Sequence, residues 1–411
     1  MGDIMDLLRL YGTQENAQKQ QRRFDGMKDA FAGIFGDAEG TCLISAPGRT
    51  EIAGNHTDHN HGRVLAASVD LDTVALVRKN GTDTVCLVSD ALKAPVECDL
   101  KQLEPVKEEA ETSTALVRGM AAGLKNRGYA IGGFDAYVTS NVLSGSGLSS
   151  SAAFEVMLGK IFSALFNSDA LPAPDNAVVA QWAENNYFMK PCGLMDQMAS
   201  SVGGLVTIDF GVNPAKVEKI EYDFARKGYC ACVVSCGGEH GNLTGEYAAI
   251  PAEMKQVAHL LGGETLRDVE DRIESSLPLL KNKVPDRAIL RALHFLDEDR
   301  RVPRLVECLK NDDLDGFFRG IIESGESSWK LLQNLYVAGS SNQEMPLALE
   351  MSRRFLAGRG AWRVHGGGFA GTILAFVKLN DLPGYTGYME AVFGKGAVKP
   401  LYLRPVGAVR L

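Results

Sequence analysis

The sequence predicts an α/β (α+β) protein with two domains, built from mixed sheets with helices. The first observation is length, because 411 residues exceed what one hydrophobic core usually serves. The second is the order of the patterns: the first half mixes strand and helix signals, residues 239–358 are mainly helical, and strand patterns return near the end. We expect domains at 1–213 and 214–411, divided in the irregular segment FGVNPAK.

Strand and helix patterns can be assigned one by one. The stretch DTVALVRKNGTDTVCLVSD predicts a hairpin that turns at Asn80-Gly81. Further strands are predicted by TCLIS, FDAYVTSNV, GGLVTIDFG, YCACVVSCG, AWRVH and TILAFVKL. Helical spacing covers residues 171–189 and most of 250–356.

Composition excludes several classes of protein. The chain is 45% apolar and 23% charged, which is typical of a globular protein. The net charge of -8 argues against nucleic-acid binding, and no apolar run reaches membrane-spanning length. The N-terminal sequence lacks a signal-peptide pattern, so we expect a cytoplasmic protein whose eight cysteines are free thiols.

A loop of small residues, GSGLSSSAAFEV, begins at Gly145 between a predicted strand and a predicted helix. The first turn of a helix has free backbone N–H groups and a partial positive charge. Glycine lets such a backbone approach a phosphate, and serine hydroxyls bind phosphate oxygens or Mg²⁺. The loop suits phosphate binding, although no Lys-Ser/Thr pair follows as in a Walker A loop. The alternative is a helix cap beside a tight turn.

A second small-residue loop, HGGGFAG, begins at His365. It matches G-x-G-x-x-G, but a strand follows it where a dinucleotide-binding loop would have a helix. Its glycines therefore join two strands, and they favour close approach to a ligand or to another loop. A plain tight turn is the alternative.

A polar cluster follows Arg49 in the stretch SAPGRTEIAGNHTDHNHG. The strand TCLIS runs into a predicted Pro-Gly turn before this arginine. The cluster itself consists of Asn55, His56, Asp58, His59 and His61. Three interpretations are open from these residues alone: a zinc site, a site for sugar hydroxyls, and a solvated loop.

Taken together, these three stretches resemble the sequence motifs of the galactokinases. This family belongs to the small-molecule kinases named for galactose, homoserine, mevalonate and phosphomevalonate. Two further segments, PCGLMDQMAS around Asp196 and GEYAAIPAE around Tyr247, resemble the same family. The motifs follow the family order from residue 41 to the end. The resemblance implies a two-domain small-molecule kinase fold with its active site in the inter-domain cleft.

The resemblance also implies a reaction, the ATP- and Mg²⁺-dependent phosphorylation of the C1 hydroxyl of galactose. Asp196 matches the catalytic aspartate, which would accept the proton of that hydroxyl, and Arg49 matches the arginine that keeps it ionised. The positions that match sugar contacts are Asn55, His56, Asp58, Gly193 and Tyr247.

The expected nucleotide and metal contacts come from the small-residue loops and one glutamate. The nucleotide-binding positions are Gly145, Ser146, Gly147, Leu148, Ser149, Ser150, Ser151, Gly367 and Gly368. Ser151 and Glu184 match the Mg²⁺ ligands. We expect a sugar and ATP as partners, no nucleic acid or membrane, and a monomer or weak homodimer.

The sequence departs from the galactokinase pattern at several positions. Galactokinases usually carry Glu at the position of Asn55, Tyr at that of His59 and Thr at that of His365. A neutral Asn facing C6 of the sugar would tolerate a carboxylate there, so galacturonate is an alternative substrate, as are N-acetylgalactosamine and arabinose. A non-catalytic sugar and ATP sensor is a further alternative, although Glu184 and Asp196 are both present.

Overall fold

The structure is a computed structural model that describes residues 4–90, 92, 94–142, 147–190, 192–237, 243–369 and 371–411. Its strands are β1 (Cys42–Ala53), β2 (Arg63–Lys79), β3 (Thr84–Ser89), β4 (Val96–Asp99), β5 (Phe134–Ser140), β6 (Leu205–Asp209), β7 (Lys216–Ile220), β8 (Tyr229–Gly237), β9 (Ala361–Val364), β10 (Gly371–Lys378), β11 (Val398–Leu401) and β12 (Val409–Arg410).

The helices of the described residues precede the first strand or lie between the strands. They are α1 (Ile4–Tyr11), α2 (Gln14–Phe35), α3 (Ser113–Asn126), α4 (Ser150–Phe166), α5 (Ala173–Ala183), α6 (Met195–Val202), α7 (Thr244–Leu260), α8 (Leu277–Leu280), α9 (Asp286–Lys310), α10 (Leu314–Ser327), α11 (Glu344–Leu356) and α12 (Leu382–Phe393). No helix in these ranges is long and apolar enough to cross a bilayer.

The first sheet has eight strands and carries the motifs of the first half of the chain. Its main path is β12-β1-β2-β5-β3-β4, and β6 pairs with β2 and β7. Side chains alternate between its faces, as the strand period requires. On β2, Ala75 and Val77 join a core with α3, α4 and α5, whereas Val74 and Leu76 join a core with α1 and α2.

The predicted hairpin at Asn80-Gly81 is wrong. The two strands exist, but β5 lies between them, antiparallel to β2 and parallel to β3. The Asn80 side chain donates to the Thr84 carbonyl and to Asp135 at the start of β5, both at 3.0 Å. Asn80 and Gly81 therefore connect two strands that do not pair with each other, because β5 lies between β2 and β3.

The second sheet has four strands in the order β11-β8-β10-β9, and each neighbouring pair is antiparallel. The strands predicted by YCACVVSCG, AWRVH and TILAFVKL are confirmed as β8, β9 and β10. Alternate residues of β10 again divide between two cores: Ala375 packs with α11 and α12, and Phe376 packs with α10.

The core behind Phe376 joins the two halves of the chain. It also contains Leu65 and Ala67 of β2 and Phe317 of α10, so both sheets contribute apolar side chains to it. Strands β7 and β12 belong to the first sheet, although both lie beyond residue 213. The division at residues 213 and 214 stays a prediction.

Three elements converge where the sequence motifs predict a site. The predicted Pro-Gly turn before Arg49 is instead an irregularity within β1, where the pairing with β2 shifts register between Pro47 and Arg49. Helices α4 and α6 pack across β1 and β2. The start of each helix is thereby brought to the bulge that carries Arg49.

Candidate active site

The centre of the site is an ion pair between Arg49 and Asp196. Arg49 Nε donates to Asp196 Oδ1 at 2.7 Å, and the Ser149 hydroxyl donates to the other carboxylate oxygen. Asp196 lies in the first turn of α6, and 33% of its side chain is exposed. The carboxylate is thus held on two sides and remains accessible on the third.

Local electrostatics keep Asp196 ionised. Burial would raise the pKa of Asp196, but the charge of Arg49 and the hydrogen bonds from Arg49 and Ser149 outweigh it and hold the pKa below its usual value. The charge of Lys190 acts in the same direction. Asp196 is therefore a carboxylate at neutral pH and a weak base.

The same arginine anchors the predicted phosphate loop. Its guanidinium donates to the Gly147 carbonyl, and its backbone N–H donates to the Leu148 carbonyl at 3.0 Å. Gly48 belongs to this contact, because a Cβ there would come within 2.8 Å of the Leu148 oxygen. The strand bulge and the loop are thus fixed to each other through backbone atoms.

The loop leads into α4 in the way the sequence predicts. Ser149 has a left-handed backbone (φ 58°) and immediately precedes the helix, which begins at Ser150. Ser150 and Ser151 lie in its first turn, where free N–H groups suit an anion. Gly145 and Ser146 lie outside the described residues. The nucleotide contacts of this loop stay a prediction.

The predicted sugar-binding residues contact one another or the small-residue loop that begins at His365. A methyl group on Gly193 would collide with the Asp58 carboxylate, so these two residues are in direct contact. His56 Nε2 lies 3.0 Å from the Gly367 carbonyl, and the Tyr247 hydroxyl donates to the Gly368 carbonyl at 2.6 Å. His56 and Tyr247 therefore contact the small-residue loop that begins at His365, and Asp58 contacts Gly193.

His56 is neutral in this environment. Burial lowers the pKa of His56 to about 4, although the Gly367 carbonyl opposes the shift. A carbonyl only accepts hydrogen bonds, so the contact requires a proton on Nε2. Nδ1 is then an acceptor, which suits a sugar hydroxyl.

Asn55 departs from the expectation of a direct sugar contact. Its side chain is fully buried, and its amide nitrogen donates to Glu51 Oε1 at 3.0 Å and to the Gly366 carbonyl at 2.6 Å. Its amide oxygen accepts from Asn334 Nδ2 at 2.8 Å and from Ser328 at 3.3 Å. With both polar atoms bonded to protein groups, Asn55 supports the site from behind.

Arg363 balances the carboxylate that Asn55 contacts. It donates to Glu51 Oε1 at 2.8 Å, and both side chains are buried. Asn334 Nδ2 also donates to the Gly367 carbonyl at 3.0 Å. The carbonyls of Gly366, Gly367 and Gly368 are thus all bonded to side chains, which orients the loop. A nucleotide contact by Gly367 and Gly368 stays a prediction.

One of the predicted metal ligands, Glu184, is linked to α6 through Gln197. Glu184 begins a π-helical turn (Glu184–Phe188) after α5 and is almost completely buried. Ser151 lies one helical turn before Glu155, which shares the donor Gln197 Nε2 with Glu184, at 3.1 and 2.8 Å respectively. Carboxylate and hydroxyl oxygens are suitable Mg²⁺ ligands. In the described ranges no cluster of three or more His, Cys, Asp or Glu has metal-binding geometry.

These residues fit Mg²⁺ that arrives with a nucleotide, because Mg²⁺ in kinases is held by one or two protein ligands and by the phosphates. Glu155 and Gln197 are contacts that the sequence motifs did not predict. The sequence could have indicated a role for Glu155, because it is the one carboxylate of the otherwise largely apolar α4. Nothing in the sequence indicates the roles of Asn334 and Arg363, because they lie far along the chain from the motifs that they contact.

Comparison with known proteins agrees with this geometry. The galactokinase galactose-binding signature matches residues 29–79, and the N-terminal domain of the GHMP kinases matches residues 115–204. A galactokinase of Streptomyces coelicolor is 30% identical over 385 residues, which span 91% of this chain and 96% of that protein. The chain belongs to the galactokinase family. As a sugar kinase it is a phosphotransferase that uses ATP.

Other relatives extend the comparison. A galactokinase of Glaesserella parasuis is 30% identical over 81% of this chain and 84% of its own length. The crystal structure of Lactococcus lactis galactokinase complexed with galactose superposes with a TM-score of 0.82 at 23% identity, over 94% of this chain and all of that one. Methanococcus jannaschii mevalonate kinase gives 0.64 at 15% identity, over 89% of this chain and 99% of its own. The galactokinase and mevalonate kinase fold of this family member is confirmed.

Replacing Asn55 by Asp tests the buried amide network. The variant keeps the shape of the side chain but removes the amide donor and places a second carboxylate beside Glu51. We therefore expect the free energy of unfolding to fall by about 2 kcal/mol or more. Chemical denaturation measures this change. Asn380→Asp is the control, because that side chain is exposed, and its effect should stay below about 0.5 kcal/mol. Equal effects of the two changes would contradict the network.

Replacing His365 by Thr tests whether the buried His365 is neutral in the folded chain. His365 contacts Thr50 and Thr372, and burial together with Arg49 and Arg363 lowers its pKa well below 6.5. The unfolded chain then binds more protons than the folded one below pH 6.5, so stability falls as the pH falls. When the pH falls from about 7.5 to about 5.5, the free energy of unfolding should decrease by up to about 1.4 kcal/mol more in the wild type than in the variant. Urea unfolding at each pH measures the difference, and parallel losses would show that His365 binds a proton as readily in the folded chain as in the unfolded one.

Proposed function

We propose that this galactokinase-family protein transfers the γ-phosphate of ATP to the C1 hydroxyl of galactose. The observation that carries the proposal is the ionised, partly exposed Asp196, held by Arg49 and by Ser149 of the phosphate loop. The arrangement brings an acceptor for a hydroxyl proton next to a helix start that suits phosphates. The relatives named galactokinase, one of them crystallised with galactose, support the choice of sugar.

In the reaction, a bond forms between the C1 oxygen and the γ-phosphorus, and the bond from that phosphorus to the ADP oxygen breaks. The hydroxyl proton passes to Asp196. Because its pKa is lowered, Asp196 is a weak base, so its main contribution is to orient the hydroxyl and to accept the proton late in the transfer. Arg49 stabilises charge on the moving phosphoryl group.

The remaining roles divide between the two sides of the cleft. We propose that His56, Asp58, Gly193 and Tyr247 bind the sugar, and that Gly147 and the serines after it bind the phosphates. Glu184 and Ser151 would hold Mg²⁺, which neutralises phosphate charge when bound. A cytoplasmic location and a monomeric or weakly dimeric state remain predictions.

The case for galacturonate weakens on structural grounds. It depended on a neutral Asn55 facing C6 of the sugar. The amide of Asn55 is instead bonded to Glu51, Gly366 and Asn334, and the side chain is fully buried. Galactose therefore remains the proposed substrate.

A panel of sugars tests the substrate. ADP release should be strongest with galactose and at least about tenfold weaker with galacturonate, N-acetylgalactosamine, arabinose and glucose. Turnover on galacturonate alone would overturn the proposed substrate. Tight sugar binding without turnover on any of the five would indicate a sensor in place of an enzyme.

Asp196→Asn tests the proposed catalytic group. The amide keeps the shape but cannot accept a proton as a carboxylate does, so kcat should fall by about a hundredfold or more. ATP affinity, measured by calorimetry with a non-hydrolysable analogue, should change less than about threefold. Activity close to that of the wild type would remove Asp196 from its role.

A further inference from the structure

A fully buried glutamine, Gln197, lies between two buried carboxylates beside the proposed active site. It follows Asp196 directly on α6. Its amide nitrogen donates to Glu184 Oε2 at 2.8 Å and to Glu155 Oε2 at 3.1 Å. The side chains of Gln197 and Glu155 are inaccessible to solvent, and Glu184 is nearly so.

The chemistry of this cluster suits a neutral double donor. Two carboxyl groups buried side by side repel each other when both are ionised, and solvent cannot reach them to screen the repulsion. A primary amide has two N–H bonds on one nitrogen, so a single side chain can bond both acids. A hydroxyl has one such bond, and an apolar side chain has none.

The arrangement leaves defined acceptor atoms free. Glu155 Oε1 and Gln197 Oε1 are buried and have no hydrogen-bond partner among the described residues. Glu184 Oε1 lies 3.4 Å from Lys190 Nζ, whose side chain is 59% exposed and so can move away. The buried amide holds only Oε2 of Glu184, and the Cys192 thiol makes a further contact with this carboxyl group and lies 3.6 Å from Gln197 Nε2.

We propose that Gln197 is the positioning residue for the metal-binding carboxylate. By holding Glu184 Oε2 it fixes the rotation of that carboxylate and leaves Oε1 available to a divalent cation. The proposal rests on the proposed function, because the metal role of Glu184 comes from the family resemblance. Since Asp196 and Gln197 are neighbours on α6, one short helix positions both the proton acceptor and the metal ligand.

Metal affinity separates this role from simple packing. A residue that only fills the core would weaken sugar, nucleotide and metal binding together as the fold loosens. A residue that orients Glu184 should weaken metal binding selectively, because contacts to atoms behind a ligand typically change metal affinity by about 10- to 100-fold. Direct binding measurements distinguish the two roles without using turnover.

The experiment compares wild type, Gln197→Met and Gln197→Glu. Met has similar volume but no donor, and Glu replaces the donor by a third carboxylate. Electron paramagnetic resonance would measure Mn²⁺ binding to the full chain with AMP-PNP, and calorimetry would measure galactose binding. We expect the Mn²⁺ dissociation constant to rise about tenfold in both variants, while that for galactose changes less than about twofold.

Two further variants serve as controls. Asn176→Leu also removes a buried amide between α4 and α5, bonded to the Val156 carbonyl, and should leave Mn²⁺ binding unchanged. The double variant Gln197→Met with Glu155→Gln removes the repulsion that could unfold Gln197→Met. It should fold and still bind Mn²⁺ weakly, whereas Glu155→Gln alone should bind it normally, because Gln197 still holds Glu184.

Three results would overturn the proposal. If the wild type binds Mn²⁺ with AMP-PNP and Gln197→Met binds it equally well, the positioning role of Gln197 is refuted, while the proposed function stands. A parallel loss of galactose and Mn²⁺ affinity would show that Gln197 only fills the core. A wild type that binds galactose and AMP-PNP but shows no nucleotide-dependent Mn²⁺ signal would refute the metal role of Glu184, and with it this proposal.

Discussion

The ion pair between Arg49 and Asp196 is the contact on which the rest of the site depends. Arg49 projects from a bulge in a central strand, where its backbone and guanidinium also hold the carbonyls of the phosphate loop. One side chain therefore sets the position of a strand, a loop and the first turn of α6. The pair is buried on the arginine side and open on the aspartate side, so it keeps the carboxylate charged without covering it.

A second polar network orients the loop after β9, next to the proposed sugar-binding residues. Asn55 and Asn334 form an amide pair, and together with His56 and Tyr247 they bond three successive glycine carbonyls of the loop after β9. Buried amides are costly when they are left unpaired, so such a network favours one arrangement of the loop over its alternatives. Arg363 forms a buried ion pair with Glu51, the carboxylate that Asn55 contacts. The neutral Asn55 therefore adds no unpaired charge to the network, although galactokinases usually carry Glu at this position.

The two networks meet a common hydrophobic core. Leu65 of the first sheet and Phe376 of the second pack in the same cluster, which holds the two halves of the chain together below the cleft. The apolar contacts are non-directional and supply cohesion, whereas the hydrogen bonds above them determine geometry. This division explains how residues from both halves of the chain are held together in one site.

The sequence by itself determined the fold class, most of the strands, the helix that begins at Ser150, and the family, because periodicity and motif order are local properties of the chain. The tertiary structure decided that β5 separates the strands around Asn80, that Pro47 lies in a bulge, and that Asn55 points into the protein. Strand order and side-chain direction depend on contacts between residues far apart in the chain. No local pattern encodes a contact such as that between Asn55 and Asn334, so only the folded chain reveals it.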